Sequence, residues 1–243
     1  MIRQLYYPYR LWKSKINKEV RCLFLTYTNG IFHFREYSFE DFRHYNSLKL
    51  LRQKKYAILE TQDELINFEL ITKLQQEITI VQEPKIPFPQ ADSFARIINL
   101  CELLNQHKFL TKEYITENYY FSEKHFDDRQ TNYYADAARY LGLVDKKKEN
   151  NKVGYFLTNT GNNLFKLSIS DRQLFLAKLI LSHSVFNKAL KLYFEKLDSP
   201  NKSEIVDLMK QSNLYEVHSE STFERRASTV LSWTKWILDL IEE

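Results

Sequence analysis

Eight side chains between Arg129 and Lys152 have the types and spacing to do chemistry on a nucleic acid. Arg129, Gln130 and Asn132 can each make a pair of hydrogen bonds to one purine edge, arginine to guanine, glutamine or asparagine to adenine. Tyr133 beside them can pack on a sugar or a thymine methyl. Lys146, Lys147, Lys148 and Lys152 stand against a single acid, Glu149, in a short run. Lysines so grouped suit phosphate contact, which positions a protein on a duplex without specifying sequence. A second group, Thr222, Arg225, Arg226 and Thr229, lies at helical spacing near the end of the chain. The plain alternative for the first group is a solvated helix face and a solvated turn. Asp136 falls on the same face as Arg129 and weighs against a helix pressed onto phosphate. For the second group the alternative is a helical support with surface arginines.

These side chains need a rigid frame. Asp127 is placed to cap a helix, with Gln130 three residues on, close to a capping box. Along that helix Tyr134, Ala137, Ala138 and Leu141 recur on the inward face, and Arg129, Asn132, Tyr133 and Asp136 on the outward one. Gly142 is placed to end it in the left-handed region. Val144 to Asn151 and Tyr155 to Thr158 then read as a β-hairpin with a basic, asparagine-rich tip, and Thr158–Gly161 as the turn out of it. Two helices precede it. One is capped by Asp92 or Ser93 and carries Phe94, Ile97, Ile98, Cys101 and Leu104. The next opens at Leu110-Thr111 and carries Tyr114, Ile115 and Tyr119. Three helices and a hairpin over residues 91–167 make a winged-helix pattern, with its third helix as the reader.

The tail, 168–243, reads as helical. Asp171 to Lys196 is expected as one long helix, with Leu174, Ala177, Leu181, Val185 and Ala189 inward and His183 an ordinary surface or hydrogen-bonded histidine. A short helix spans Ser203 to Gln211. Ser221-Thr-Phe-Glu224 is a capping box for a last helix reaching Ile241. Its inward side holds Phe223, Ala227, Val230, Ile237 and Ile241, and Trp233 and Trp236 are expected in helix packing. This is a second helix-turn-helix-like unit whose wing is short or absent.

In front, residues 1–81 alternate helix and strand. Pro8 suits the first turn of a helix to Ile16, with Tyr9, Trp12 and Ile16 on one face. Val20–Tyr27 and Ile31–Tyr37 flank Asn29-Gly30, a strong hairpin signal. The first of these strands is almost continuously apolar, as if covered on both faces. A third strand is expected around Lys54–Leu59 and an amphipathic helix over Gln62–Gln75, with Leu65, Phe68, Ile71 and Leu74 spaced for one face. Gln82–Gln90 holds three of the five prolines, and the domain boundary is placed there as a stiff linker. The expected class is therefore mixed α/β and mainly helical. A partial α/β piece, a proline-rich linker (82–90) and tandem winged-helix and helix-turn-helix units follow in order.

Bulk properties fit this reading. The chain has 243 residues, 44% of them hydrophobic, and a net charge of +4. No apolar run reaches the roughly 18–20 residues of a membrane helix, and no signal-peptide core opens the chain, so a cytoplasmic setting without membrane contact is expected. Cys22 and Cys101 are expected as buried thiols. The four glycines form neither GxxxxGK nor GxGxxG, which argues against a nucleotide-binding enzyme.

Five stretches carry a family resemblance: RCLFLTYTNGIFHFREY (21–37), YNSLKLLRQKKYAI (45–58), EPKIPFPQADSFARIINLCELL (83–104), RQTNYYADAARYLGLVD (129–145) and RRASTVLSWTKWILDLI (225–241). Together they resemble the C-terminal part of a group of type II restriction endonucleases, the first being similar to the end of their nuclease domain. The resemblance implies an enzyme that cuts double-stranded DNA at a short sequence with Mg²⁺ through a PD-(D/E)xK core, commonly as a homodimer. Such a core needs an acid and an E-x-K on neighbouring strands to hold metal and activate water. Glu83-Pro84-Lys85 fits the letters, but Pro84 cannot sit in a central strand. By the resemblance, the catalytic strand is expected before Met1. Mg²⁺ is thus expected only with a complete nuclease domain, and no catalytic residue or metal ligand is assigned within the chain. A split enzyme with an upstream-encoded nuclease subunit, the product of a late start codon and a decayed gene all remain open. So do a non-enzymatic winged-helix DNA-binding protein, such as a transcriptional regulator, and a helical interaction module without DNA contact.

Overall fold

A computed structural model of the chain describes residues 2–28, 30–57, 65–118 and 128–241. The described residues form a mixed α/β, mainly helical structure with two small antiparallel sheets. It divides into two compact units, one on the chain up to Ile58 and the other on the chain from Leu59 onward.

The first unit is a helix on a three-stranded meander. Helix α1 (Ile2–Lys15) precedes β1 (Cys22–Thr28), β2 (Ile31–Phe39), a 3₁₀ turn (Tyr45–Ser47) and β3 (Leu48–Ala57), in sheet order β1-β2-β3. Gly30 adopts φ 75° in the β1–β2 turn, where a side chain would cost energy; Asn29 lies outside the described residues. A small core of Leu5, Tyr6, Cys22 and Phe39, with Tyr9 and Phe24 packed against it, joins helix to sheet. Pro8 falls inside α1 rather than in its first turn, because Leu5 and Tyr6 ahead of it are the residues the sheet buries. Of the expected face Tyr9, Trp12 and Ile16, only Tyr9 packs against this core; Trp12 and Ile16 are exposed. β1 is covered on one face only: Leu23, Leu25 and Tyr27 stand 50–62% exposed. β3 starts earlier than its β-rich letters suggest, since Leu48 pairs with Phe39.

The second unit builds one continuous core across all its helices. Helix α2 (Phe68–Glu77) is capped by Asn67, whose side chain accepts from the Leu70 N–H at 2.8 Å. It therefore begins after the expected Gln62, which itself lies outside the described residues. Then come α3 (Phe94–His107), β4 (Leu110–Thr111), α4 (Lys112–Asn118), α5 (Asp128–Tyr140), β5 (Val144–Glu149), β6 (Lys152–Leu157), α6 (Asn159–Leu164), α7 (Ile169–Leu181), α8 (Ser184–Lys196), α9 (Lys202–Lys210) and α10 (Glu220–Leu238). The sheet order is β4-β6-β5, antiparallel throughout. The expected caps at Asp127 and the position of Tyr119 fall outside the described residues.

Four expectations are corrected by packing. The proline segment 82–90 is not a boundary. Phe88 is buried between Tyr140 and Phe186. The Tyr140 hydroxyl donates to Glu83, and the Val81 N–H donates to the Ser182 carbonyl at 2.9 Å. The Gln75 side chain donates to the Asn187 amide oxygen and the Asn187 side chain donates to the Gln75 backbone carbonyl, each at 2.9 Å, tying α2 to α8. Nor do residues 91–167 and 168–243 form separate domains. The Trp233 indole donates to the Ala91 carbonyl at 2.8 Å and stacks on Phe186, joining α10 to the start of α3. The long helix expected over 171–196 is two. His183 breaks it with an extended backbone, is buried, stacks on Tyr140 and approaches Glu83 to 3.5 Å. The last helix is capped by Ser219, two residues before the expected box. Both cysteines are buried free thiols, and burial pushes the Cys101 thiol up to about 12. No described helix is long and apolar enough to cross a membrane.

Candidate nucleic-acid interface

Helix α5 presents its stripe as its spacing requires. Thr131, Tyr134, Ala135, Ala137 and Ala138 are buried, and the small side chains let α3 approach closely. Thr131 shares a hydrogen bond with Thr116 of α4 at 2.9 Å, which fixes the two helices against each other. The opposite face carries Arg129, Asn132, Tyr133 and Asp136 at i, i+3, i+4 and i+7. Arg129 and Gln130 are exposed at the helix start, and Asn132, Tyr133 and Asp136 are half-buried. Asp136 is not a free negative charge: Arg139 bonds it at 2.7 Å and also lies 3.7 Å from Asp145. The Asp–Arg pair at i,i+3 is readable from spacing alone.

The hairpin is built to hold its tip. Asn150 and Asn151 have φ of 47° and 63°, a two-residue turn with both central residues left-handed, which matches strand twist and favours asparagine or glycine. Glu149 pairs with Lys152 across it. Gly154 lies where an added Cβ would stand 2.3 Å from the Phe109 ring and 2.7 Å from the Leu110 carbonyl, so β4 can pair with β6 only because that residue is glycine. Strand alternation then separates the lysines. Lys146 and Lys148 pair with Tyr155 and Val153, on the sheet face that carries Val144 and Leu157. The Tyr155 hydroxyl on that face donates to the Asn132 amide oxygen at 3.4 Å. Lys146 and Lys148 thus share a side with α5. Lys147 points the other way. It bonds Glu149 at 2.6 Å and sits over the rings of Phe109 and Phe156 at 5.2 and 5.0 Å. It braces the hairpin on the face opposite Lys146 and Lys148. Lys152 is exposed beside the tip.

The second group of residues comes apart. Thr229 is fully buried; its hydroxyl donates to Asp92 at 2.7 Å and accepts from the Ala91 N–H at 3.1 Å. It holds α10 to α3 and cannot reach a ligand. Thr222 belongs to the α10 cap with Ser219. Arg225 folds back onto Ser221 and Thr222 of its own helix. Arg226 is half-buried. Its Nε and Nη1 are buried without a protein partner. Burial lowers its pKa, and Tyr133 and Glu216 are close enough to influence it. Arg226 thus lies within electrostatic range of Tyr133 on α5 and has two buried donors without a protein partner. Among the described residues no three His, Cys, Asp or Glu side chains lie together as a metal site. Glu83 of the E-x-K letters is bonded to Tyr140 in the packed segment instead.

No curated protein and no solved structure matches the chain significantly. A family described as Domain of unknown function (DUF6997) matches residues 1–57, close to the extent of the first compact unit. A second, described as Domain of unknown function (DUF7226), matches residues 96–242, from α3 to the end of α10. Because that match takes in more than half of the chain, including the whole candidate interface, the protein belongs to the DUF7226 family.

Proposed function

We propose that the chain reads double-stranded DNA sequence specifically, as part of a type II restriction endonuclease. The observation that carries the reading is the order α3–β4–α4–α5–β5–β6 with sheet order β4-β6-β5. This order supports a winged-helix reading, in which α5 would be the reading helix and the β5–β6 hairpin its wing. Arg129 and Gln130 stand at the exposed N-terminal end of α5, where such helices meet base edges. Lys146 and Lys148 stand on the same side for phosphate, and Arg226, within electrostatic range of Tyr133, adds two buried donors without a protein partner. The restriction role rests on the resemblance stated above, with the first unit as the end of a nuclease domain and an upstream-encoded subunit or longer chain supplying the Mg²⁺ site. The absence of a three-ligand cluster among the described residues favours, as the second reading, a DNA-binding protein that does not cut.

The test is selection from a random duplex library with the full chain, followed by the same selection with Arg129→Ala. Enrichment of one short motif is expected. The variant should lose about 1–3 kcal/mol on that motif and relax preference at one position. No enrichment, or an unchanged motif with the variant, overturns α5 as the reader. Cleavage of the enriched duplex with Mg²⁺, alone and with the upstream-encoded protein, then separates a nuclease from a simple reader.

A further inference from the structure

The charge of the chain is unevenly shared. Residues 1–58 contain twelve Lys and Arg against four Asp and Glu, a net +8. The whole chain is only +4, so residues 59–243 carry −4. The strongest cation concentration therefore lies on the first unit, away from α5 and its hairpin in sequence. Helix α1 covers one face of the β1-β2-β3 sheet, through Cys22 and Phe39. The other face is open. The pairing register lines up Leu23, Glu36 and Arg52 in one row, Leu25, Phe34 and Lys54 in the next, and Tyr27, Phe32 and Tyr56 in the third. Tyr27 is 62% exposed and Tyr56 51%. Tyr27 lies against Phe32 at 4.7 Å and Phe34 against Tyr56 at 5.5 Å between ring centroids. An open hollow of about 540 Å³ is bounded by Arg21, Phe34, Arg52, Lys54 and Tyr56. Among the described residues of these three rows the one acid is Glu36, which is bonded by both Arg21 and Arg52, so it adds no repulsion toward an anion.

We infer that this open sheet face binds single-stranded nucleic acid, stacking unpaired bases on Tyr27, Phe32, Phe34 and Tyr56 while Arg21, Arg52 and Lys54 meet the phosphates. Outward aromatic rings on adjacent strands, rimmed by cations, form a stacking platform that tolerates any base because every base has a π-face. A duplex fits poorly. Its base faces are hidden, and a three-stranded face about 14 Å across at roughly 4.8 Å per strand exceeds the ~12 Å major groove. The net +8 favours a polyanion over a second copy of the chain, which would bring the same charge to an apolar contact. The site is independent of the α5 reading and stands or falls separately.

The experiment is fluorescence anisotropy of the full chain with a labelled mixed-sequence 20-mer, single-stranded and as duplex. The Tyr27→Ala/Tyr56→Ala variant should weaken single-strand binding by on the order of tenfold or more and leave duplex binding unchanged. Lys54→Ala should weaken it less and flatten its salt dependence. The Arg129→Ala variant should show the reverse pattern, which separates this inference from the α5 reading. An unchanged thermal transition in each variant keeps folding out of the comparison. Wild-type single-strand affinity in the double tyrosine variant overturns the proposal. So does a wild-type chain that binds no single strand and instead self-associates through this face, seen as a concentration-dependent mass that the tyrosine variant abolishes.

Discussion

Thr229 sits at i+3 from Arg226 on a polar helix start, and by its letters it belongs with Thr222, Arg225 and Arg226 as a ligand contact. Its true partners, Asp92 and Ala91, are more than 130 positions away in the chain, so no local pattern could have announced them. Thr229→Val keeps the shape, removes the hydroxyl and leaves the buried Ala91 N–H unpaired. It should cost about 1–3 kcal/mol of stability, read by urea unfolding, with duplex affinity of the folded protein unchanged. A variant with wild-type stability and weakened DNA binding would return Thr229 to the interface. Lys147 teaches the same lesson at closer range. The run Lys146-Lys-Lys148 reads as one patch in sequence. Strand alternation splits it, and the Phe109 ring that seats Lys147 comes from before α4. The α5 stripe, by contrast, was fully legible, because a helix presents i, i+3, i+4 and i+7 together whatever packs behind it.

Two elements carry predictions of their own. The hairpin was readable from its asparagines, and the structure supplies the reason: both occupy left-handed backbone. Replacing Asn150 and Asn151 with valine should cost about 1–2 kcal/mol per position, lower the Tm and loosen the lysine-bearing tip. Asn151→Gly should hold or raise the Tm, and a lower Tm with glycine would contradict the turn assignment. In the first unit, Glu36 links β2 to β3 through Arg52 and to the chain ahead of β1 through Arg21. Hydrogen bonds from Arg21 first, and Arg52 second, hold its carboxyl at about 2, against an ordinary 4.5. A folded pKa below the unfolded one means the contribution is complete above pH ~4.5 and is lost as pH falls toward about 2. Thermal unfolding between pH 5 and pH 2 should show that loss, and Glu36→Gln should flatten it; an identical pH profile in the variant would remove the pair from the account. The elements that sequence misplaced share a cause. The break at His183 has neither proline nor glycine to signal it; it answers to Tyr140 and Glu83 from distant segments. The three prolines of 82–90 do signal an extended chain. Whether an extended chain is a linker or a packed strap depends on Phe88 finding a cavity between α5 and α8, which spacing does not encode.

For the molecule as a whole, the mixed α/β and mainly helical class was legible, and so was the succession of helices and hairpin, because periodicity and turn residues are local. The division into units was not, since it depends on which apolar faces meet. A single core runs from α2 to α10, and the chain divides instead at Ile58. The central claim is that α5 and the β5–β6 hairpin together contact duplex DNA, with the lysines of one hairpin face supplying the phosphate contacts. The most direct measurement is the salt dependence of duplex affinity for the full chain and for Lys146→Ala/Lys148→Ala. The account predicts a log–log slope for wild type that becomes shallower by about two counterions in the double variant, with all sequences weakened alike, while Lys147→Ala loses stability rather than slope. A wild-type chain without salt-dependent duplex binding, or a double variant with the wild-type slope, would contradict it.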